Sequence, residues 1–191
     1  MSDVNVLYCD PRGIYSSLLD KDLLWDEKRD ARSYNRNDCI VAHPPCQRWS
    51  KIGKQRCPEK HTQDEGCFLS ALLCLLRVGG VLEHPEGSAA FRFFAIPAPV
   101  RGAGWRRITD SLWVCSVAQF NYGHDAYKWT WLIYCSPEGI EPYPIDFSIP
   151  TIPARKEVCL MSRRQRIQTP ILFARELLSL AHHSRSPNDV Q

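Results

Sequence analysis

The chain has 191 residues, nine cysteines and a formal net charge of +3. That length favours one domain with its own core, and 44% hydrophobic with 24% charged residues excludes a disordered or low-complexity chain. The mild positive charge permits a polyanionic partner without requiring one, and no apolar run approaches the roughly 20 residues a transmembrane helix needs.

Residues 4–9 (VNVLYC) predict a buried strand, stopped by Asp10, Pro11 and Gly13, and residues 14–19 a short helix. Residues 26–37 are charged and rich in turn formers. Residues 39–42 (CIVA) predict a second strand, ended by His43-Pro44-Pro45. Residues 51–65 read as a polar, basic loop. Residues 66–78 (GCFLSALLCLLRV) have the length and apolar density of a helix, with Gly79-Gly80 as its stop. Val81, Leu82 and Glu83 form a third short strand, so strand, helix, Gly-Gly and strand make a parallel crossover unit. Residues 112–119 and 130–135 predict two further strands, and the proline-rich residues 137–153 an irregular loop. Residues 169–182 (TPILFARELLSLAH) predict a closing helix with Thr169 as N-cap and Pro170 at its first position. The expected architecture is a single three-layer α/β domain over residues 1–182, followed by a frayed tail at 183–191. The odd cysteine count, and an opening segment that does not read as a targeting sequence, point to a reduced, cytoplasmic setting.

In open α/β sheets, sites lie at the carboxyl ends of strands, and three predicted strand ends hold Asp10, Cys46 and Glu83. Free cysteines are commonly core residues. Cys46 instead follows a Pro-Pro turn, beside donors at Gln47 and Arg48, and a nearby guanidinium favours the nucleophilic thiolate. A carboxylate at the end of the next strand suits covalent attack on a heteroaromatic ring, with the acid donating to a ring nitrogen.

The stretch HPPCQRWS resembles the Pro-Cys-Gln nucleophile loop of the DNA cytosine (carbon-5) methyltransferases, and VLEHPEG resembles that family's Glu-Asn-Val strand. WDEKRDARSY is similar to the segment whose aspartate contacts the cofactor adenine, FNYGHDAYKWTWLIY to the strand preceded by basic residues, and QTPILFARELLSLA to the closing helix. The chain also looks like small methyltransferase-like proteins of phages and prophages. The resemblance implies a reduced, Rossmann-like S-adenosylmethionine-dependent methyltransferase fold. It implies Cys46 as nucleophile, Glu83 as acid and Lys128 as a basic catalytic residue. It puts the cofactor near Asp10, Gly13, Asp30, Pro44 and Thr169, and the pyrimidine of DNA or of a nucleotide near Gln47, Arg48, Ser50, His84 and His124.

Several positions depart from that family. The first loop holds a single glycine, Gly13, and a proline that removes one amide donor. Only about thirty residues separate it from the Cys46 loop, where the family fits another strand, a helix and an acidic residue for the ribose. Asp22 or Asp26 is the substitute expected for that acid. His84 replaces the asparagine, Thr130 replaces the second basic residue, and no target-recognition domain fits within residues 136–166. A substrate without duplex structure, or a partner protein that supplies recognition, follows from this. The alternative is a catalytically silent methyltransferase fold that holds a nucleotide or a partner protein in phage–host conflict. Candidate phosphate grips are Arg48, Lys51, Lys54 and Arg56, and Arg155, Lys156, Arg163, Arg164 and Arg166, although such runs are commonly solvated faces. His43, Cys46, Cys57, His61 and Cys67 have zinc-ligand chemistry but loose spacing, so no metal is assigned. His124 reads either as a turn histidine or as a substrate contact.

Overall fold

The computed structural model describes residues 3–50, 54–55 and 58–185, apart from the side chains of Cys159, Arg163 and Arg164. Lys51, Arg56 and Cys57, and the side chains of Arg163 and Arg164, therefore lie outside the described residues. Seven strands form one mixed sheet: β1 (Asn5–Leu7), β2 (Leu24–Trp25), β3 (Ile40–Ala42), β4 (Gly80–Pro85), β5 (Arg106–Arg107), β6 (Leu112–Ala118) and β7 (Trp129–Cys135). Their order is β2-β1-β3-β4-β7-β6-β5. β1 runs parallel to β2 and β3, and β3 runs parallel to β4. β7 is antiparallel to both β4 and β6, so β6 points the same way as the first four strands.

Helix α1 (Cys67–Val78) joins β3 to β4. Asp64 starts it, accepting the Phe68 amide at Oδ2 (2.7 Å), and Gly79 ends it with a φ of 78°. Its buried residues Phe68, Ala71, Cys74, Leu75 and Val78 share one face and pack against Leu82, Val114 and Ile133 of the sheet. The short helices α2 (Ala89–Phe93) and α3 (Arg163–Ile167) lie in connections. Helix α4 (Ile171–His183) closes the chain and buries Phe173, Ala174, Leu177, Leu180 and Ala181 against Val81, Cys115, Leu132 and Tyr134. Alternate residues of β4, β6 and β7 thus feed two cores, which gives three layers. Each fully buried Leu or Phe here contributes about 1.5–3 kcal/mol. Among the described residues no helix is long and apolar enough to cross a membrane.

Three details differ from the sequence expectation. First, a strand does occupy the gap before the Cys46 loop: the two residues of β2, followed by a 3-10 turn at Ala31–Ser33 instead of a full helix. Second, Thr169 caps nothing. Pro170 occupies the N-cap of α4, and no side chain caps that end. Third, Gly80 opens β4 as well as stopping α1. With a φ of 124° it lets β4 approach β3, and a Cβ there would lie 1.9 Å from the carbonyl oxygen of Ile40.

After β1 the chain moves to β2 on one side and returns to β3 on the other. The carboxyl ends of β1 and β3 therefore flank the sheet's topological switch point, where open α/β sheets bind ligands.

Candidate active site

Beyond β3 the main chain continues in register for one residue, the His43 amide donating to Leu7 O at 3.0 Å. Pro44 is buried and Pro45 exposed. A turn follows, closed by the Trp49 amide donating to Cys46 O at 3.0 Å. Trp49, only 2% exposed, packs among Phe68, Phe93 and Phe94, and its Nε1 donates to Asp64 Oδ2 at 2.8 Å. The Cys46 loop is thus pinned at both ends, by the strand ladder and by a buried indole.

Glu83 sits near the carboxyl end of β4 with 15% of its side chain exposed. His43 Nδ1 lies 3.1 Å from Oε2, and the Thr130 hydroxyl and Gln119 Nε2 donate to Oε1 at 3.2 and 3.3 Å. Gln119 Nε2 also donates to Thr130 Oγ1 at 2.9 Å. Burial is the largest single influence on Glu83 and raises its pKa. The His43 hydrogen bond and the charges of His43, Lys128 and His84 outweigh it, so the carboxyl is held well below the ordinary glutamate range.

Lys128 lies just before β7 at a φ of 38°, a strained backbone for a residue with a Cβ. Its Nζ donates to Gln168 O at 2.7 Å. Burial lowers its pKa, against the opposing pull of the Glu83 and Cys46 charges. Cys46 is half-buried. Burial first, and then the Glu83 charge, push its thiol up, while Lys128 acts in the opposite direction. The expectation that Arg48 favours a thiolate is corrected here: the cation acting on Cys46 is Lys128, and the resting form is the thiol. Cys46, Glu83 and Lys128 thus lie within electrostatic reach of one another.

The remaining predicted residues divide. Gln47 is exposed in the turn, and the Ser50 hydroxyl donates back to its carbonyl at 3.4 Å. His84 faces away from Glu83, 1% exposed, against Phe68, with Nδ1 2.7 Å from Ser88 Oγ. Its position is one of packing, because successive residues of a strand face opposite sides. His124 is 7% exposed and takes the Ala126 amide at Nδ1 (3.0 Å), which is the turn-histidine arrangement. Thr169 is half-buried, one residue after the carbonyl that receives Lys128. Asp30 caps the 3-10 turn and pairs with Arg32 at 2.9 Å on the surface.

In the first loop, Asp10 Oδ1 accepts the Arg12 amide at 2.9 Å and Asp10 O accepts the Gly13 amide at 2.8 Å. The Cys9 amide is bound to Trp25 O. A Cβ at Gly13 would meet Asp10 O at 3.0 Å, so this glycine serves the loop's own turn. Asp26 directly follows β2, and its Oδ1 accepts the amides of Lys28 and Arg29 at 2.9 Å. It lines an open cleft of about 560 Å³ with Pro11, Lys21, Asp22, Leu24 and Arg29. Sequence reasoning named Asp26 only as one of two acids available in this gap. A two-residue strand leaves too little pattern to position it.

His43 is the residue whose role the sequence missed. Besides contacting Glu83, its Nε2 lies 2.8 Å from the Tyr15 hydroxyl, so both ring nitrogens are occupied. No cluster of metal-ligating side chains occurs among the described residues. Seven cysteines, Cys46 and Cys67 among them, are free thiols. No protein-family model matches the chain, and neither curated proteins nor solved structures yield a match to it.

Proposed function

We propose that this protein is an S-adenosylmethionine-dependent methyltransferase that modifies cytosine, or a related pyrimidine, in a single strand or a nucleotide. The observation that carries the reading is the mutual electrostatic influence of Cys46, Glu83 and Lys128, which stand after β3, near the carboxyl end of β4 and just before β7. The sheet agrees with it: one antiparallel strand lies between two strands of opposite sense, and the switch point falls beside the Cys46 loop.

The ground state is a thiol beside a carboxylate, so the reaction needs no outside proton. The Sγ of Cys46 adds to the ring carbon next to the one modified. Its proton passes by way of Glu83 to the ring nitrogen, which leaves an electron-rich carbon for methylation. Lys128 stabilises the sulfur as its proton leaves. After transfer, a base removes the proton from the methylated carbon, the C–S bond breaks, and the proton on the ring nitrogen returns to sulfur by way of Glu83, so that one proton is released for each methyl group transferred. Thr130 and Gln119 hold Glu83 in one orientation throughout.

The cleft at Asp26 fits the nucleoside end of the cofactor: its volume is adequate, and the Oδ2 of the acid following β2 is directed to no backbone amide. Bound there, S-adenosylmethionine supplies an electrophilic methyl group. Because the first loop uses the Cys9, Arg12 and Gly13 amides internally, side chains such as Asp10 must hold the amino-acid end. That same observation favours a second reading, a nucleotide-binding protein of this fold without methyl transfer. Calorimetric titration with S-adenosylmethionine and S-adenosylhomocysteine separates the two. Micromolar binding that weakens at least about tenfold in Asp26→Ala and little in Asp30→Ala supports the enzyme. No binding at millimolar ligand contradicts methyl transfer and leaves the nucleotide-binding reading.

A further inference from the structure

The half of the site that faces the first loop is a chain of three side chains, two of which, Tyr15 and His43, the reaction above does not use. Tyr15 lies in the 3-10 turn Ile14–Ser17, directly after the first loop, and is 4% exposed. Its hydroxyl meets His43 Nε2 at 2.8 Å, and His43 Nδ1 meets Glu83 Oε2 at 3.1 Å. These contacts span 28 and 40 residues of sequence.

The chemistry of the two ends sets the direction of the chain. An ionised carboxylate only accepts, so Nδ1 carries the hydrogen. A buried phenol keeps its proton, and its hydroxyl and His43 Nε2 share one hydrogen bond at 2.8 Å. His43 then presents its Nδ1–H to Glu83 and its Nε2 to the Tyr15 hydroxyl, held in that orientation from both sides.

We propose that Tyr15, His43 and Glu83 form a polarised hydrogen-bond relay in which His43 is a positioning residue, fixing the orientation and ionisation of Glu83 and tying both to the first loop. This deepens the reading of Glu83 as the proton carrier and rests on it. A carboxylate that already accepts from His43 is a weaker base. Having taken the thiol proton, it releases that proton readily to a ring nitrogen. Tyr15 makes the alignment depend on the segment that follows Asp10 and Gly13, so a ligand that reorders this loop reorients Glu83. The other titratable groups around Glu83 are Cys46 from the same loop as His43, His84 on its own strand and Lys128 before β7. Of the residues around it, His43, Thr130 and Gln119 bond to its oxygens.

The test is nuclear magnetic resonance of the full chain, with ring nitrogens of histidine and side-chain carboxyls of glutamate labelled. His43→Ala and Glu83→Gln assign the signals. The relay predicts a hydrogen on His43 Nδ1 shared with Glu83, and a displaced His43 Nε2 signal in Tyr15→Phe. It also predicts a Glu83 carboxyl that remains ionised below pH 4 in the wild type, with a midpoint at least about one pH unit higher in His43→Gln. A His43 with no hydrogen on Nδ1, or a Glu83 midpoint unmoved in His43→Gln, overturns the proposal. Should His43→Gln fail to fold, Tyr15→Phe decides, because it keeps the ring and removes only the hydroxyl. None of these signals requires methyl transfer. A wild-type protein that forms no adduct with a pyrimidine yet shows the hydrogen on Nδ1 keeps its relay and loses only the proposed reaction.

Discussion

The ammonium of Lys128 reaches across to the carbonyl of Gln168 at 2.7 Å, joining the turn that opens β7 to the segment that opens α4. One strained residue thus links two parts of the chain that flank Cys46 and Glu83. Replacing it with methionine keeps the aliphatic stem and removes the charge. The thiol of Cys46 then rises further, and its alkylation by iodoacetamide at pH 8 slows. Thermal stability changes little by comparison, since Lys128→Met also sheds a partly buried charge. Unchanged alkylation would place Lys128 outside the nucleophile's field.

Glu83 and His84 are neighbours that face opposite layers, and they give the protein two separate acid responses. Burial is the main cause that lowers His84, to about 4, so the folded state refuses a proton that the unfolded state accepts near pH 6.5. The unfolded state therefore binds more protons between those values, and stability falls as pH drops from about 6.5 to about 4, by at most about 3 kcal/mol. The lowered Glu83 acts only below the ordinary glutamate range. Urea unfolding across pH 4.5 to 7 measures the first slope, and His84→Asn flattens it.

Gly80→Ala tests the closeness of β3 and β4. A Cβ 1.9 Å from Ile40 O forces the two central strands apart, at a φ that side chains avoid. The expected loss exceeds about 3 kcal/mol, seen as a collapse of the urea midpoint. A loss below about 1 kcal/mol contradicts the pairing as described.

Asp64 joins the nucleophile loop to α1, since its Oδ2 accepts from both Trp49 Nε1 and the Phe68 amide. Asp64→Ala removes an acceptor for the Phe68 amide in the first turn of α1 and orphans a buried indole donor. The expected cost is about 1–3 kcal/mol, with faster hydrogen exchange at the Trp49 indole N–H and the Phe68 amide. Asp64→Asn recovers part of the cost, because its amide oxygen still accepts.

Local signals in the sequence marked the strand ends well. Cys46 follows Ala42 by four residues, and Glu83 lies in β4 behind a Gly-Gly stop, so pattern and punctuation sufficed to find both. The rest depends on distant partners. β2 is two residues long and carries no periodicity, so the acid that follows it could not be placed. His43 looked like a possible metal ligand because its true partners lie 28 and 40 residues away. Arg48 is two residues from Cys46 in sequence, yet among the described residues the cation acting on Cys46 is Lys128, brought by the antiparallel pairing of β4 with β7. Thr169 and Pro170 have the residue types of a helix start, but the chain enters α4 one residue later than Thr169 would set it.

The central claim is that Cys46 adds covalently to a pyrimidine ring. Incubation with S-adenosylmethionine and a single-stranded oligonucleotide containing 5-fluorocytosine tests it most directly, because fluorine at the modified carbon blocks the last proton removal and traps the thioether. The account predicts a denaturation-stable species whose intact mass is the sum of protein, oligonucleotide and one methyl group. It should be absent in Cys46→Ser and much reduced in Glu83→Gln. An adduct that persists in Cys46→Ser, or none in a wild-type protein that binds both ligands, would contradict it.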